Sequence, residues 1–258
     1  MYDNIILPTD HYSNEPALGM AGDLAWMFDA CLVVLTALPT PDDMREEIEE
    51  KLVAAGRDGL EFKWDTHEPP EKAIPRLTRE LDRPLVCMST AHMANHGPLT
   101  KSVAERVVAD VDVPVALLGP HCPSTGARHH LTELVACVDG SDFADESLPL
   151  AMAWALESGL PVRVLSVVPD NELPSADLIH ERERVLLAPD QVECTILQGD
   201  PATAVANWSR GHPGALLFAS THGRTGRDLR KHPSVAGHLV SEASLPVVAV
   251  HPKTAHVS

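Results

Sequence analysis

The sequence predicts an α/β protein of two tandem domains, each a three-layer sandwich around a five-stranded, mostly parallel sheet. Three observations carry that reading. Landmarks recur in the same order about 130 positions apart along the 258 residues, an internal duplication. Within each copy, short branched apolar runs alternate with segments of helical spacing, the order that builds parallel sheets with helices on both faces. Runs such as NIIL, LVVL and ALLF are continuously apolar, as strands covered on both faces are.

The first copy opens on NIILPTD (4–10), a strand over 4–9 closed by Asp10, followed by helical periodicity over 15–28 that includes Ala25-Trp26. LVVLTALP (32–39) gives a strand over 31–37, and the acidic stretch DDMREEIEEK (42–51) begins an exposed helix over 42–55. A strand over 60–65, a helix over 70–81, PLVCMST (84–90) with a strand over 84–89, a helix over 100–109 and DVPVALLGP (112–120) with a strand over 113–118 complete it. The second copy repeats the series. ELVACVDGSD (133–142) gives a strand over 133–138, the helix over 144–157 carries Ala153-Trp154, and PVRVLSVVP (161–169) gives a strand over 162–167. A helix over 174–187, a strand over 192–197 and a helix over 201–210 follow. GALLFAST (214–221) supplies a strand over 214–220, then come a helix over 234–242 and SLPVVAVHP (244–252) with a strand over 245–250. Trp26 and Trp154 read as equivalent helical positions whose apolar neighbours predict core packing for both. HCPSTGARHH (121–130) has no periodicity and reads as a linker, with the boundary near 125 and domains over 1–122 and 130–258.

Composition narrows the function. Acidic residues outnumber basic ones 37 to 20, a net charge of −17 that repels phosphate backbones and anionic lipid and argues against nucleic-acid or membrane-surface partners. A small anion in a local pocket is compatible with it. No apolar run approaches the roughly 20 residues a membrane helix needs, and the N-terminus lacks a basic n-region, so a cytoplasmic protein is expected. The five cysteines are odd in number and widely spaced, with no Cys-x-x-Cys, which points to a reducing compartment and against structural zinc. His92 and His96 lie four apart but without an acidic neighbour, and His129-His130 fall in the linker, so no metal site is expected.

Two places carry candidate chemistry. Asp10 and Asp139 end the opening strand of each copy, where a carboxylate either caps the next helix or accepts hydrogen bonds from a ribose or adenine group. The second is the segment from Ser220 through Gly223 and Gly226 to Ser234 and Val235. Its glycines permit close backbone approach, and Ser234 opens a helical stretch whose amides suit an anion. Arg224, Arg227, Arg230 and Lys231 add four cations within eight residues of an otherwise acidic chain.

The duplication, the strand-end aspartates and this loop resemble the universal stress protein family in its tandem, two-domain form, over nearly the whole chain. The resemblance implies a Rossmann-like, adenine nucleotide alpha hydrolase-like sandwich in each half. Nucleotide-binding members carry Gly-x2-Gly-x9-Gly followed by Ser or Thr to cradle ATP phosphates, with the first-strand Asp on the adenosine side. In the second half Gly223 and Ser234 match, while Ser220 and Pro233 stand at the first and third glycines. Asp139 matches, and Val167 falls where the second strand contacts adenine. In the first half Asp10 matches, but segment 89–102 is one residue shorter, has no glycine at the expected places and has Lys101 at the third, so only Ser102 matches there. The resemblance also implies pairing of the last strands between domains, an intramolecular pseudo-dimer, with a homodimer of the whole chain as a further step.

The expected function is therefore an adenine-nucleotide-binding stress-response protein, taking ATP, with Mg as its companion ion, mainly through the second half at Asp139, Val167, Ser220, Gly223, Arg224, Gly226, Ser234 and Val235. The alternative is a member that binds no nucleotide and acts as a protein-interaction module. No Walker-type Gly-x4-Gly-Lys-Ser/Thr and no Gly-x-Ser-x-Gly elbow occurs, so no fast enzyme is expected, which leaves room for slow ATP hydrolysis. An adenylating enzyme needs a glycine-rich loop beside the first strand, and neither 8–16 nor 137–145 supplies one.

Overall fold

A computed structural model describes residues 1–9, 17–36, 42–57, 59–66, 68–90, 103–123, 130–138, 147–168, 170, 192–221 and 235–250. The chain forms two compact units, unit 1 from 1–118 and 122–130 and unit 2 from 119–121 and 131–258.

Unit 1 contains β1 (Asn4–Thr9), α1 (Ala17–Phe28), β2 (Cys31–Thr36), α2 (Asp42–Ala54), β3 (Phe62–Thr66), α3 (Pro70–Glu80), β4 (Pro84–Ser89), α4 (Val103–Asp110) and β5 (Val115–Leu118). Its strands run β3-β2-β1-β4-β5, with every pair parallel. Unit 2 contains β6 (Glu133–Val138), α5 (Ser147–Ser158), β7 (Val162–Val168), β8 (Val192–Gln198), α6 (Pro201–Ser209), β9 (Ala215–Ser220), α7 (Val235–Glu242) and β10 (Val247–Val250). Its order is β10-β9-β6-β7-β8, again parallel. The expected helix over 174–187 lies outside the described residues.

The strand order reverses between β1 and β4, and between β6 and β9. Crossovers are right-handed, so a reversal of direction moves the connecting helices to the opposite face of the sheet. Central strands are consequently covered on both sides: all six residues of β1 and of β2 are buried. β8, at the edge, has no fully buried residue.

Local chemistry fixes several ends. Asp200 caps α6 by accepting from the Thr203 amide at 3.0 Å, and Pro201 takes the first turn, where its missing N–H costs nothing. α1 packs closely on α2, because a Cβ on Gly22 would lie 2.4 Å from Leu52 Cδ2. The buried Asp23 carboxylate accepts from Arg57 Nε at 3.0 Å and Nη2 at 2.6 Å, and the guanidinium lies 5.5 Å from the Trp26 ring centroid. At the amino end of the unit 2 sheet, Glu133 accepts from Arg163 Nε at 2.9 Å and meets His212 Nδ1 at 2.6 Å. Arg163 also donates to Thr195 Oγ1 at 3.1 Å, which ties β6, β7 and β8 together.

The equivalence of the two tryptophans does not hold. Trp154 is fully buried, edge-on to Phe218 at 5.0 Å, whereas Trp26 is 49% exposed. Aligned on their first residues, α1 and α5 place Trp154 opposite the buried Leu24 and Trp26 opposite Leu156, which is 85% exposed. Two positions turn a helix by about 200°, so the two rings occupy opposite faces. Trp26 instead lies against the Arg57 guanidinium on the surface.

Candidate functional site

In a doubly wound sheet the ligand crevice lies beyond the carboxyl ends of the strands, at the reversal of strand order. Both units have the geometry for one. β1 pairs with β4 over Asn4–Ile6 and Pro84–Val86, so the last three residues of each strand run past the ladder. β6 pairs with β9 over Glu133–Ala136 and Ala215–Phe218, leaving Cys137–Val138 and Ala219–Ser220 beyond it. The flanking ladders do reach the ends: Thr9 pairs with Thr36, Ser89 with Leu118 and Ser220 with Val250.

Each of these carboxyl ends holds a hydroxyl that is shielded from solvent and has no hydrogen-bond partner among the described residues. In unit 2 it is Ser220 Oγ on β9, and in unit 1 it is Thr9 Oγ1 on β1. Beside Ser220, the end of β6 is apolar. Val138 packs with Val164 and Val168, flanked by Leu148, Val192 and Cys194. Ser166 pairs with Val138, and half-buried Val167 is the next residue of β7. Burial of the Cys137 thiol pushes its pKa up to about 12, which favours the neutral form.

The residue after each of the β4 and β9 strands is a threonine. Thr221 donates to Val250 O from both its amide, at 2.8 Å, and its Oγ1, at 3.2 Å. Thr90 does the same to Leu118 O, at 2.8 and 3.2 Å. Neither threonine, nor Thr9, stands out by residue type. The signal for the pair is the recurrence of Ser-Thr at the end of PLVCMST and GALLFAST, which marks a repeated hydrogen-bonding position.

Of the residues that sequence points to, Ser220 and Val167 lie at the carboxyl ends of β9 and β7. Val235 opens α7. Asp10, Asp139, Gly223, Arg224, Gly226 and Ser234 lie outside the described residues, as do Ser102, His92 and His96. Among the described residues no cluster of three or more His, Cys, Asp or Glu side chains is placed to hold a metal ion. None of the described helices is long and apolar enough to cross a membrane.

No family model matches the sequence, and no curated protein matches it. Solved structures match its fold. A universal stress protein from Archaeoglobus fulgidus DSM 4304 superposes with a TM-score of 0.67 at 19% identity, covering 96% of this chain and 98% of that one. The chain has the tandem universal stress protein fold. A functionally unknown protein from Pseudomonas aeruginosa PAO1 shares it at a TM-score of 0.63 and 15% identity, over 98% of this chain and 93% of that one. The cytoplasmic domain of a prokaryotic cation chloride cotransporter does so at 0.54 and 15%, over 96% and 95%. A fold shared with proteins named so differently does not by itself carry a function.

Proposed function

We propose that this chain is a cytoplasmic universal stress protein that binds an adenine nucleotide, ATP, through unit 2 and acts in stress response without fast turnover. The observation that supports it is Ser220 Oγ, shielded from solvent and unsatisfied among the described residues, two residues past the end of the β6–β9 ladder. A buried hydroxyl without a partner costs about 1–3 kcal/mol, so a ligand oxygen that accepts from it is favoured. The residue therefore fits a phosphate-bearing group even though it replaces a motif glycine. The rest of the donor set follows Ser220 in sequence: Gly223 and Gly226 for close backbone approach, Arg224 for charge, and Ser234 followed by Val235, which opens α7.

Asp139 would hold the adenosine hydroxyls and Val167 would line the adenine side. The bound nucleotide supplies a triphosphate, with Mg, whose charge the basic segment offsets. Unit 1 retains Asp10 on the nucleoside side but has only Lys101 as a cation within 89–102, and we assign it a supporting role.

Equilibrium titration with labelled ATP, with and without magnesium, tests this. Saturable submillimolar binding is expected, absent in Gly223→Trp and weakened in Ser220→Ala. Ser220→Ala should also raise the stability of the free protein by about 1 kcal/mol, because it removes an unsatisfied group. An unchanged affinity in both variants sinks the site. The second reading, a protein-interaction module, is favoured by Pro233, which has no amide hydrogen to offer a phosphate. Absence of binding at millimolar ATP would leave that reading standing.

A further inference from the structure

Resting on the nucleotide reading of unit 2, we infer that Thr221 is a positioning residue: its hydroxyl holds Ser220 in a ligand-ready geometry. The β-ladder does not need this hydroxyl. The Thr221 amide already donates to Val250 O at 2.8 Å, and Oγ1 adds a second donor to the same oxygen at 3.2 Å. Thr221 is only 8% exposed, so water does not compete for the bond. Ser220 pairs with Val250 in the β9–β10 register, so the double bond fixes the Ser220–Thr221 peptide against β10.

The place matters because β9 is free of β6 at this point. The β6–β9 ladder ends at Ala136 and Phe218, and Ser220 lies two residues past it. On the β6 side nothing in the ladder restrains Ser220; on the β10 side the Thr221 clamp does. A residue held from one side keeps its hydroxyl near one position while making no ladder bond to β6. Ligand binding then has less of Ser220 left to fix, and affinity rises for that reason. The cost of losing one neutral hydrogen bond corresponds to roughly a five- to tenfold weakening.

Unit 1 supplies the control. Thr90 makes the same two bonds to Leu118 O, and the sequence that follows it has one glycine, Gly97, and one cation, Lys101, against two glycines and four cations after Thr221. A clamp that serves only the sheet affects stability in both units and ligand affinity in neither. The test uses the full chain, with labelled ATP titration and thermal unfolding for wild type, Thr221→Val, Thr221→Ser and Thr90→Val. The expected result is ATP affinity about five- to tenfold weaker in Thr221→Val, restored to within about twofold of wild type in Thr221→Ser, which keeps the hydroxyl, and unchanged in Thr90→Val. Should Thr221→Val fail to fold, Thr221→Ala carries the same comparison. Wild-type affinity in Thr221→Val, or equal weakening in Thr90→Val, overturns the inference while leaving the nucleotide reading intact. Failure of the wild type to bind ATP at millimolar concentration overturns both.

Discussion

Units 1 and 2 share strand order, parallel pairing and similar element lengths, yet they secure the same architecture with different chemistry. Where unit 1 buries the Asp23–Arg57 ion pair, the matching position in α5 is Ala153. Where unit 2 packs Trp154 edge-on to Phe218, unit 1 has Leu24 and Cys87. Both helices following the first strand end in a left-handed residue, Asp29 at φ 51° in unit 1 and Gly159 at φ 71° in unit 2. Among the described residues at the carboxyl ends, the unsatisfied hydroxyl changes strand, from Thr9 on β1 to Ser220 on β9. The sheet and its register specify the architecture, while the means of filling and closing it are interchangeable so long as volume and hydrogen bonding are satisfied.

Substitutions can break this comparison. The largest effect is expected at Trp154, where Trp154→Ala should cost about 3–5 kcal/mol in denaturant unfolding by opening a cavity against Phe218. Trp154→Leu, which installs the unit 1 residue, should cost less, and an equal cost would show that the two cores are not interchangeable. Asp23→Ala comes next. The Asp23 side chain is 4% and that of Arg57 12% exposed, so the change strands a largely buried guanidinium. A loss of about 3 kcal/mol is expected, with unit 2 unfolding unaffected; a loss below about 1 kcal/mol would make the pair a surface feature.

Smaller effects sharpen the comparison. Gly159→Ala should destabilise by about 1 kcal/mol, because its positive φ strains any side chain, and Asp29→Gly should stabilise by a similar or smaller amount. The two helix ends would then converge in stability, and thermal unfolding of the pair of variants reads this directly. The smallest effect concerns pH. The Arg83 guanidinium beside Asp3 holds that carboxyl below its usual range, chiefly through their hydrogen bonds. A carboxylate with a lowered folded pKa contributes stability above its unfolded pKa, and the contribution is lost as pH falls through the folded one. Asp3→Asn should therefore remove a small, acid-limb component of the stability profile and leave the neutral and alkaline range parallel to wild type. Because both side chains are largely exposed, added salt should shrink the difference.

The sequence by itself determined the duplication, the α/β class and most element positions, because a buried parallel strand has to be continuously apolar and an amphipathic helix has to repeat near 3.6 residues. β1, β4 and β6 fall where their apolar runs lie. It also pointed to Ser220, at the head of the glycine- and arginine-bearing segment and at the first glycine position of the family motif. Tertiary structure alone decided the rest. Which face a tryptophan occupies depends on a two-residue phase that composition does not carry, and so Trp26 lies on the surface. Whether a strand-end hydroxyl is satisfied depends on where neighbouring ladders stop, which singles out Thr9 and Ser220 and leaves Thr90 and Thr221 bonded. Periodicity is a property of one segment, whereas hydrogen-bond satisfaction belongs to the several segments that meet at a strand end.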